Sequence, residues 1–355
     1  MQNFKLNPFM RILFGPPIIC DLLLNNTRYE FSSPKYLQFL MGMTPAHQEK
    51  LLLNIAEVFH CDSTTASSIF NDLSEKNIIV DTESNYKLDG VKHWVKRNWL
   101  DALIFHLRTR DLNYLDDHAE NLPEHNAEVA RELISVKFPE LYKKIEGIKN
   151  ILLPSPSSIP DDQTLQDVLL RRRSFDPWRK KQMTLGELST ILALANKESL
   201  EIRENLKRNF NKDPTLFFRS SFVALETYFF VSNVDGLEPG LYFYNILSHT
   251  VTQIKQGVFK KELAKICIGQ QRPAGAPVSF IITANFERYM MRYRHSRAYR
   301  NLLVNVSELA HKYILLATSL YLSTWLTPAL KEHFACDFME LKPYEETPMY
   351  VVAAG

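Results

Sequence analysis

The sequence predicts an α+β protein whose larger, C-terminal part is built on a largely antiparallel sheet flanked by helices. Runs rich in β-branched and aromatic residues, SFVALETYFFVS, GLYFYN, TVTQI, PVSFIITA and MYVVAA, read as strands, and several follow each other without an intervening helix. LQDVLLRRR and LGELSTILALANK carry the apolar spacing of amphipathic helices. Between two of the strands, DGLEPG supplies the proline and glycines that a tight reversal needs.

The elements upstream divide the rest. Residues 1–90 read as a small mixed module: IICDLLLN and RYEFSS alternate in short strand-like runs, and YLQFL opens a helical pattern. Thr44-Pro45 and Asp62-Ser63 are helix-start signals before AHQEKLLLNIAEVF and TTASSIFNDLSEKN. IIVDTESNYKL then reads as a two-stranded wing, so the order helix, helix, wing predicts a winged-helix-like module. Residues 91–160 form a helical connector and a Pro/Ser loop. In HWVKRNWLDALIFHLRTRD, Trp94, Ala102, Leu103, Phe105 and Leu107 make an apolar stripe, while Lys96, Arg97 and Arg110 lie off it. PSPSSIPDD follows, and residues 161–355 are the main domain.

A formal charge of +2, from 42 basic and 40 acidic residues, gives no overall field to attract nucleic acid or an anionic membrane. In the module's second helix only Lys76 stands against Asp72 and Glu75, a poor surface for phosphate contacts. A DNA-binding regulator is therefore disfavoured, and docking of a leader peptide or partner protein suits the module better. Cys20, Cys61, Cys267 and Cys336 lie far apart with no CxxC pair, which argues against a zinc ribbon or disulfide framework. The stretch MRILFGPPIICDLLL is broken by Gly15, Pro16, Pro17 and Asp21, and no apolar run approaches the roughly 20 residues that span a bilayer. The expectation is a cytoplasmic protein with reduced thiols. No histidine pair has helical metal-ligand spacing, and no GxGxxG, Walker or GxSxG sequence occurs.

Two segments could carry chemistry. Arg171-Arg172-Arg173-Ser174 ends a helix; guanidinium groups fork onto phosphate oxygens and a serine adds a hydrogen bond, although arginines also close helices by favouring their negative ends. FERYMMRYRHSRAYR, residues 286–300, follows the apolar strand APVSFIITA. On a helix Tyr289 and Tyr293 share a face and Arg288 lies one turn from Arg292. A cation favours the phenolate of a neighbouring tyrosine, which suits acid/base work. The plainer reading is a solvated basic face that binds carboxylates such as Glu287.

Together these segments resemble the nitroreductase superfamily, in particular the flavin-dependent azoline dehydrogenases of SagB/ThcOx type from thiazole/oxazole-modified peptide biosynthesis. The resemblance covers nearly the whole chain and is carried by VLLRRRSFDPW, EPGLYFYNILSHTVTQI, the 276–300 segment and the terminal PMYVVAAG. It implies a nitroreductase-like fold and a homodimer binding FMN at the subunit interface, with Arg171, Arg172, Arg173 and Ser174 on the flavin phosphate and Ser221 near the ring. It also implies Tyr293 as the acid/base, tuned by Arg292, a peptide or peptide-like substrate that loses two hydrogens, and partner biosynthetic enzymes. The sequence departs from the family at several points. Arg292-Tyr293 stands where a Lys-Tyr pair is usual, Ser307-Glu308 where Gly-His is, Tyr321 where a glycine is, and Phe222-Val223 where small residues are. An arginine usually found before Asp176 is also missing. The alternative expectation is thus a flavin-degenerate scaffold or partner subunit that keeps the fold.

Overall fold

The hydrophobic periodicities become 13 strands and 12 helices among the described residues of a computed structural model, 2–83, 88–110, 120–135, 140–213, 216 and 221–355. They divide into two units, residues 1–114 and 115–355.

The first unit runs β1 (Asn3–Leu6), β2 (Met10–Leu13), β3 (Ile19–Leu22), β4 (Thr27–Glu30), α1 (Pro34–Gly42), β5 (Ala46–His47), α2 (Gln48–Phe59), α3 (Ser63–Glu75), β6 (Ile79–Asp81), α4 (Leu88–Lys96) and α5 (Leu100–Arg110). β1 lies between β5 and β6 in one antiparallel sheet, and β3 lies between β2 and β4 in another. Apolar residues at helical spacing, Leu51 and Ile55 on α2 and Ala66, Phe70 and Leu73 on α3, pack with Phe39 and Leu40 of α1 into one core. Asp62 starts α3 as the sequence predicts, its carboxylate accepting the Thr65 N–H at 2.8 Å.

β6 pairs with β1, the start of the chain. The next stretch of the expected wing, residues 84–87, lies outside the described residues. The single connector helix is two helices, because Asn98 adopts a left-handed φ of 59° and the Trp99 N–H donates to the Trp94 carbonyl at 2.8 Å. That bond closes the first helix and lets the chain restart. The apolar stripe runs through both, so periodicity alone does not show the break.

The second unit runs α6 (Leu122–Ser135), β7 (Lys149–Leu152), α7 (Leu165–Arg171), α8 (Leu185–Asn209), β8 (Leu225–Val231), β9 (Gly240–Asn245), β10 (Thr250–Gln256), α9 (Lys260–Ile266), β11 (Val278–Asn285), α10 (Phe286–Arg292), α11 (Ala298–Ser319), β12 (Thr324–Thr327), α12 (Glu332–Met339) and β13 (Glu346–Ala354). Its seven strands form one antiparallel sheet in the order β12-β13-β11-β8-β9-β10-β7. Alternation on the central strands sends Phe229, Phe280, Ile282 and Val352 to one face, where α8 and α11 cover them. Tyr228, Phe230, Ile281 and Val351 point to the other, against α9 and α12. The result is a three-layer helix–sheet–helix stack.

Local chemistry fixes the ends of the helices that matter for the site. Thr164 with Asp167, and Thr184 with Glu187, form reciprocal capping boxes at the starts of α7 and α8. The side chain of Asn285 accepts the Arg288 N–H at 3.0 Å and starts α10 directly off β11. The first residues of the expected strand SFVALETYFFVS instead form a 3-10 turn, Ser221–Ala224. Among the described residues no helix is long and apolar enough to cross a membrane.

Candidate functional site

The arginine–serine segment is a turn held against the C-terminal end of α11. Arg171 closes α7 and donates to the Gln163 side chain and, at 3.0 Å, to the Thr318 carbonyl. Its guanidinium carbon also lies 4.4 Å from the centre of the Tyr321 ring, a cation–π contact. The Nε of Arg171 is buried and has no hydrogen-bond partner. Arg172 donates to Ser174 Oγ at 3.0 Å, and Arg173 is exposed and donates to the Arg172 carbonyl at 3.0 Å.

Arg292 and Tyr293 lie at the other end of α11. α10 ends at Arg292, and Tyr293 turns into extended backbone at φ −125° and ψ 100°. The Arg292 guanidinium carbon lies 4.7 Å from the Tyr293 ring centre. The Tyr289 ring lies 4.9 Å from that of Tyr293, tilted by 40°, but it is buried, and its hydroxyl donates to Asn305 Oδ1 at 2.8 Å. Burial pushes its phenol well above the ordinary value. Ser221 opens the 3-10 turn whose Val223 packs with Met291 of α10, so it belongs to this end as well.

These two groups do not meet within one chain. α11 has 22 residues, and at 1.5 Å of rise per residue its ends are roughly 33 Å apart. Thr318 and Tyr321 hold the arginine turn at one end, while Arg292 and Tyr293 enter at the other.

Arg288 departs from the reading of the 286–300 segment as a solvated basic face, while Arg294 and Arg300 are exposed. Arg288 is 5% exposed and paired with Glu226 of β8, which is 3% exposed. Arg203 of α8, 1% exposed, reaches the same carboxylate at 3.2 Å and donates to the Leu225 and Leu141 carbonyls at 2.7 and 2.9 Å. Burial alone would raise the Glu226 pKa, but the charges and hydrogen bonds of the two guanidiniums outweigh it and hold the carboxyl below its usual value. Nearby, Lys143 donates to the Tyr228 hydroxyl at 2.7 Å and pairs with Glu346, whose other oxygen accepts from Thr283 at 2.6 Å. Sequence reasoning missed this network. Its one local signal was an acidic residue inside the apolar run LETYFFV.

Comparison with known proteins gives the class of this three-layer fold as nitroreductase-like. No family model matches the chain. A protein of Methanocaldococcus jannaschii provisionally named a nitroreductase is 32% identical over 191 residues, which cover 54% of this chain and 90% of that protein. The trifolitoxin operon protein TfxC of Rhizobium leguminosarum bv. trifolii is 33% identical over 365 aligned positions, 99% of each chain. Among solved structures, one from Anabaena variabilis, also provisionally named a nitroreductase, superposes with a TM-score of 0.49 at 22% identity, covering 69% of this chain and 49% of that one. The chain belongs to the nitroreductase superfamily, as a divergent member of the family of TfxC.

Proposed function

We propose that the protein is an FMN-dependent oxidoreductase that removes two hydrogens from a modified peptide or peptide-like intermediate, an azoline-to-azole type of dehydrogenation in natural-product biosynthesis. The observation that carries the reading is the orphaned, buried Nε of Arg171 at a turn already holding two further guanidiniums and a serine. A buried N–H donor without an acceptor is costly, and a phosphate oxygen is the acceptor that such a cluster suits. The name of the full-length relative, a protein of the trifolitoxin operon, supports a place in making a toxin.

In this reading Arg171, Arg172, Arg173 and Ser174 hold the FMN phosphate and Ser221 lies beside the ring. A bound flavin would supply the hydride acceptor, with oxygen as the final oxidant. Tyr293 takes the proton that leaves the substrate as the hydride departs. Arg292, packed on the Tyr293 ring, keeps positive charge beside the phenol without exchanging its own proton, because a guanidinium stays protonated.

The separation of the two groups along α11 favours a homodimer, in which the arginine turn of one copy meets the Tyr293 end of the other. Exposed apolar side chains offer a surface for it: Leu165, Leu169 and Leu170 on α7, and Leu303 and Val304 on α11, are 44–66% exposed. The first unit, with its small sheets and helix pair, would serve as a winged-helix-like docking module for a peptide or a partner enzyme in the cytoplasm.

Purified protein tests the reading directly. Yellow protein with a flavin absorption spectrum, or uptake of added FMN, supports it; colourless protein that binds no FMN sinks it. The second reading, a flavin-free scaffold or partner subunit of a biosynthetic complex, is favoured by Arg292 in place of a proton-exchanging lysine and by the Tyr321 ring lying against Arg171.

A further inference from the structure

We propose that one face of the β2–β4 sheet binds an acidic side chain of a peptide, seated on the outward guanidinium ends of Arg11 and Arg28. The register sets Arg11 of β2 opposite Asp21 of β3, and Asp21 opposite Arg28 of β4. Residues directly opposite one another share a face of a sheet, so these three side chains form one row across it. The other face carries Cys20 and Leu22 into the core of the unit.

Asp21 is fully buried and clamps both arginines. Arg11 Nε donates to one of its oxygens at 3.0 Å, Arg28 Nε to the other at 3.4 Å, and Arg108 of α5 donates to it as well. An arginine carries five N–H donors, four of them on its Nη atoms. Neither Arg11 nor Arg28 has a second hydrogen-bond or ion-pair partner among the described residues. Their side chains are 45% and 56% exposed while Nε is turned onto a carboxylate that water does not reach, so the Nη ends are the accessible donors.

A pair of ordinary surface cations would lose rotamer freedom on gripping a ligand. Here the buried carboxylate has already fixed the direction of both. Three guanidiniums against one carboxylate leave two positive charges, and a guanidinium forks onto the two oxygens of an arriving carboxylate.

The next row on the same face is Leu13, Ile19 and Glu30. Leu13 and Ile19 are half-buried, apolar ground for an aliphatic neighbour of the acid, which inorganic phosphate lacks. Glu30 is exposed two residues along β4 from Arg28 and weakens the positive field there, so the acid is drawn to the Arg11 side. The inference rests on the docking role proposed above for the first unit and is independent of flavin binding.

Fluorescence anisotropy of the full-length protein with a rhodamine-labelled peptide, Ser-Leu-Glu-Ser-Leu-Glu-Ser amide, tests it. The same peptide with glutamine for glutamate is the control. The acidic peptide should bind saturably and the control should not. Arg11→Gln, checked for folding by circular dichroism, should bind about tenfold more weakly, as expected for losing a hydrogen bond between charged groups. Glu30→Gln changes an exposed side chain and should bind about twofold more tightly. Absence of saturable binding, or undiminished binding in folded Arg11→Gln, overturns the proposal; should Arg11→Gln not fold, unchanged binding in Glu30→Gln does so. Equal binding of the two peptides would keep a docking role for the unit but overturn this site. Displacement of the peptide by inorganic phosphate at the peptide's own concentration would overturn the assignment to a peptide.

Discussion

The ring of Tyr321 lies 4.4 Å from the guanidinium carbon of Arg171 while its backbone holds φ at 62°. The left-handed region costs a residue with a Cβ about 1–2 kcal/mol, which is why glycine is the natural occupant. Here the side chain recovers part of that through the cation–π contact and a hydroxyl bond to Asp162 at 2.7 Å. Tyr321 thus packs on an arginine whose buried Nε has no hydrogen-bond partner.

Replacing Tyr321 by glycine should release backbone strain and uncover Arg171. Stability should change by no more than about 1 kcal/mol, because relief of the left-handed strain offsets the lost hydroxyl bond. Affinity for FMN, followed by quenching of flavin fluorescence, should rise several-fold. Unchanged or weaker binding would show that Tyr321 does not compete for the arginine.

Glu226→Gln leaves Arg203 and Arg288 buried without their shared counter-charge. Breaking a buried pair from one side costs about 3–5 kcal/mol, and urea denaturation at neutral pH should report a loss of that size. Because the folded pKa of Glu226 lies below its unfolded value, its contribution is complete above about pH 4 and is lost as pH falls through the folded pKa. Wild type should therefore lose more stability than Glu226→Gln on acidification. Parallel curves would remove Glu226 from the acid transition.

Thiol reactivity should divide the cysteines. Burial, with the neighbouring Asp21 carboxylate, pushes the Cys20 thiol up to about 12, and burial pushes Cys267 up to about 12 as well. Cys336 is also buried and raised, whereas Cys61 is half-buried. At pH 8 a disulfide dye should label Cys61 first in the native protein and all four in denaturant. Rapid native labelling of Cys20 would contradict its placement beneath the β2–β4 sheet.

Asp21 itself is a test of the first unit. It is fully buried, with Arg11 at 3.0 Å, Arg28 at 3.4 Å and Arg108 around it. Burial would raise its pKa, but the hydrogen bonds from Arg108 and Arg11 and the charges of Arg108 and Arg28 hold it lower. Asp21→Asn should cost about 2–3 kcal/mol, a charge-assisted hydrogen-bond network lost while Arg11 and Arg28 regain water. A thermal shift of less than a degree would show that the arginines need no carboxylate there.

Charging the exposed row on α11 should separate the copies. Leu303→Glu with Val304→Glu places two carboxylates where a dimer would bury apolar side chains, and light scattering should report a monomer. If the flavin site spans two chains, the same variant should lose FMN. A dimer that persists with both glutamates would assign the interface elsewhere.

Much of the architecture was legible because its signals are local. The capping residue Asp62 and the alternation in YFFV, SFIIT and YVVAA each depend on neighbours a few positions away. The cationic run at 171–174 was readable for the same reason, since its members are adjacent in sequence. The break at Asn98 was not, because left-handed backbone leaves no mark on hydrophobic period.

What the chain alone determined was the set of elements and the chemical character of two cationic segments. Only the tertiary structure decided which charges are buried and which sites can cooperate. Arg203, Glu226 and Arg288 come from α8, β8 and α10, and each reads as a surface residue until packing removes its water and makes the other two its solvent. In the same way, the length of α11 sets the arginine turn and Tyr293 apart, a distance fixed by the rigid hydrogen-bonded rise of a helix and not by either motif.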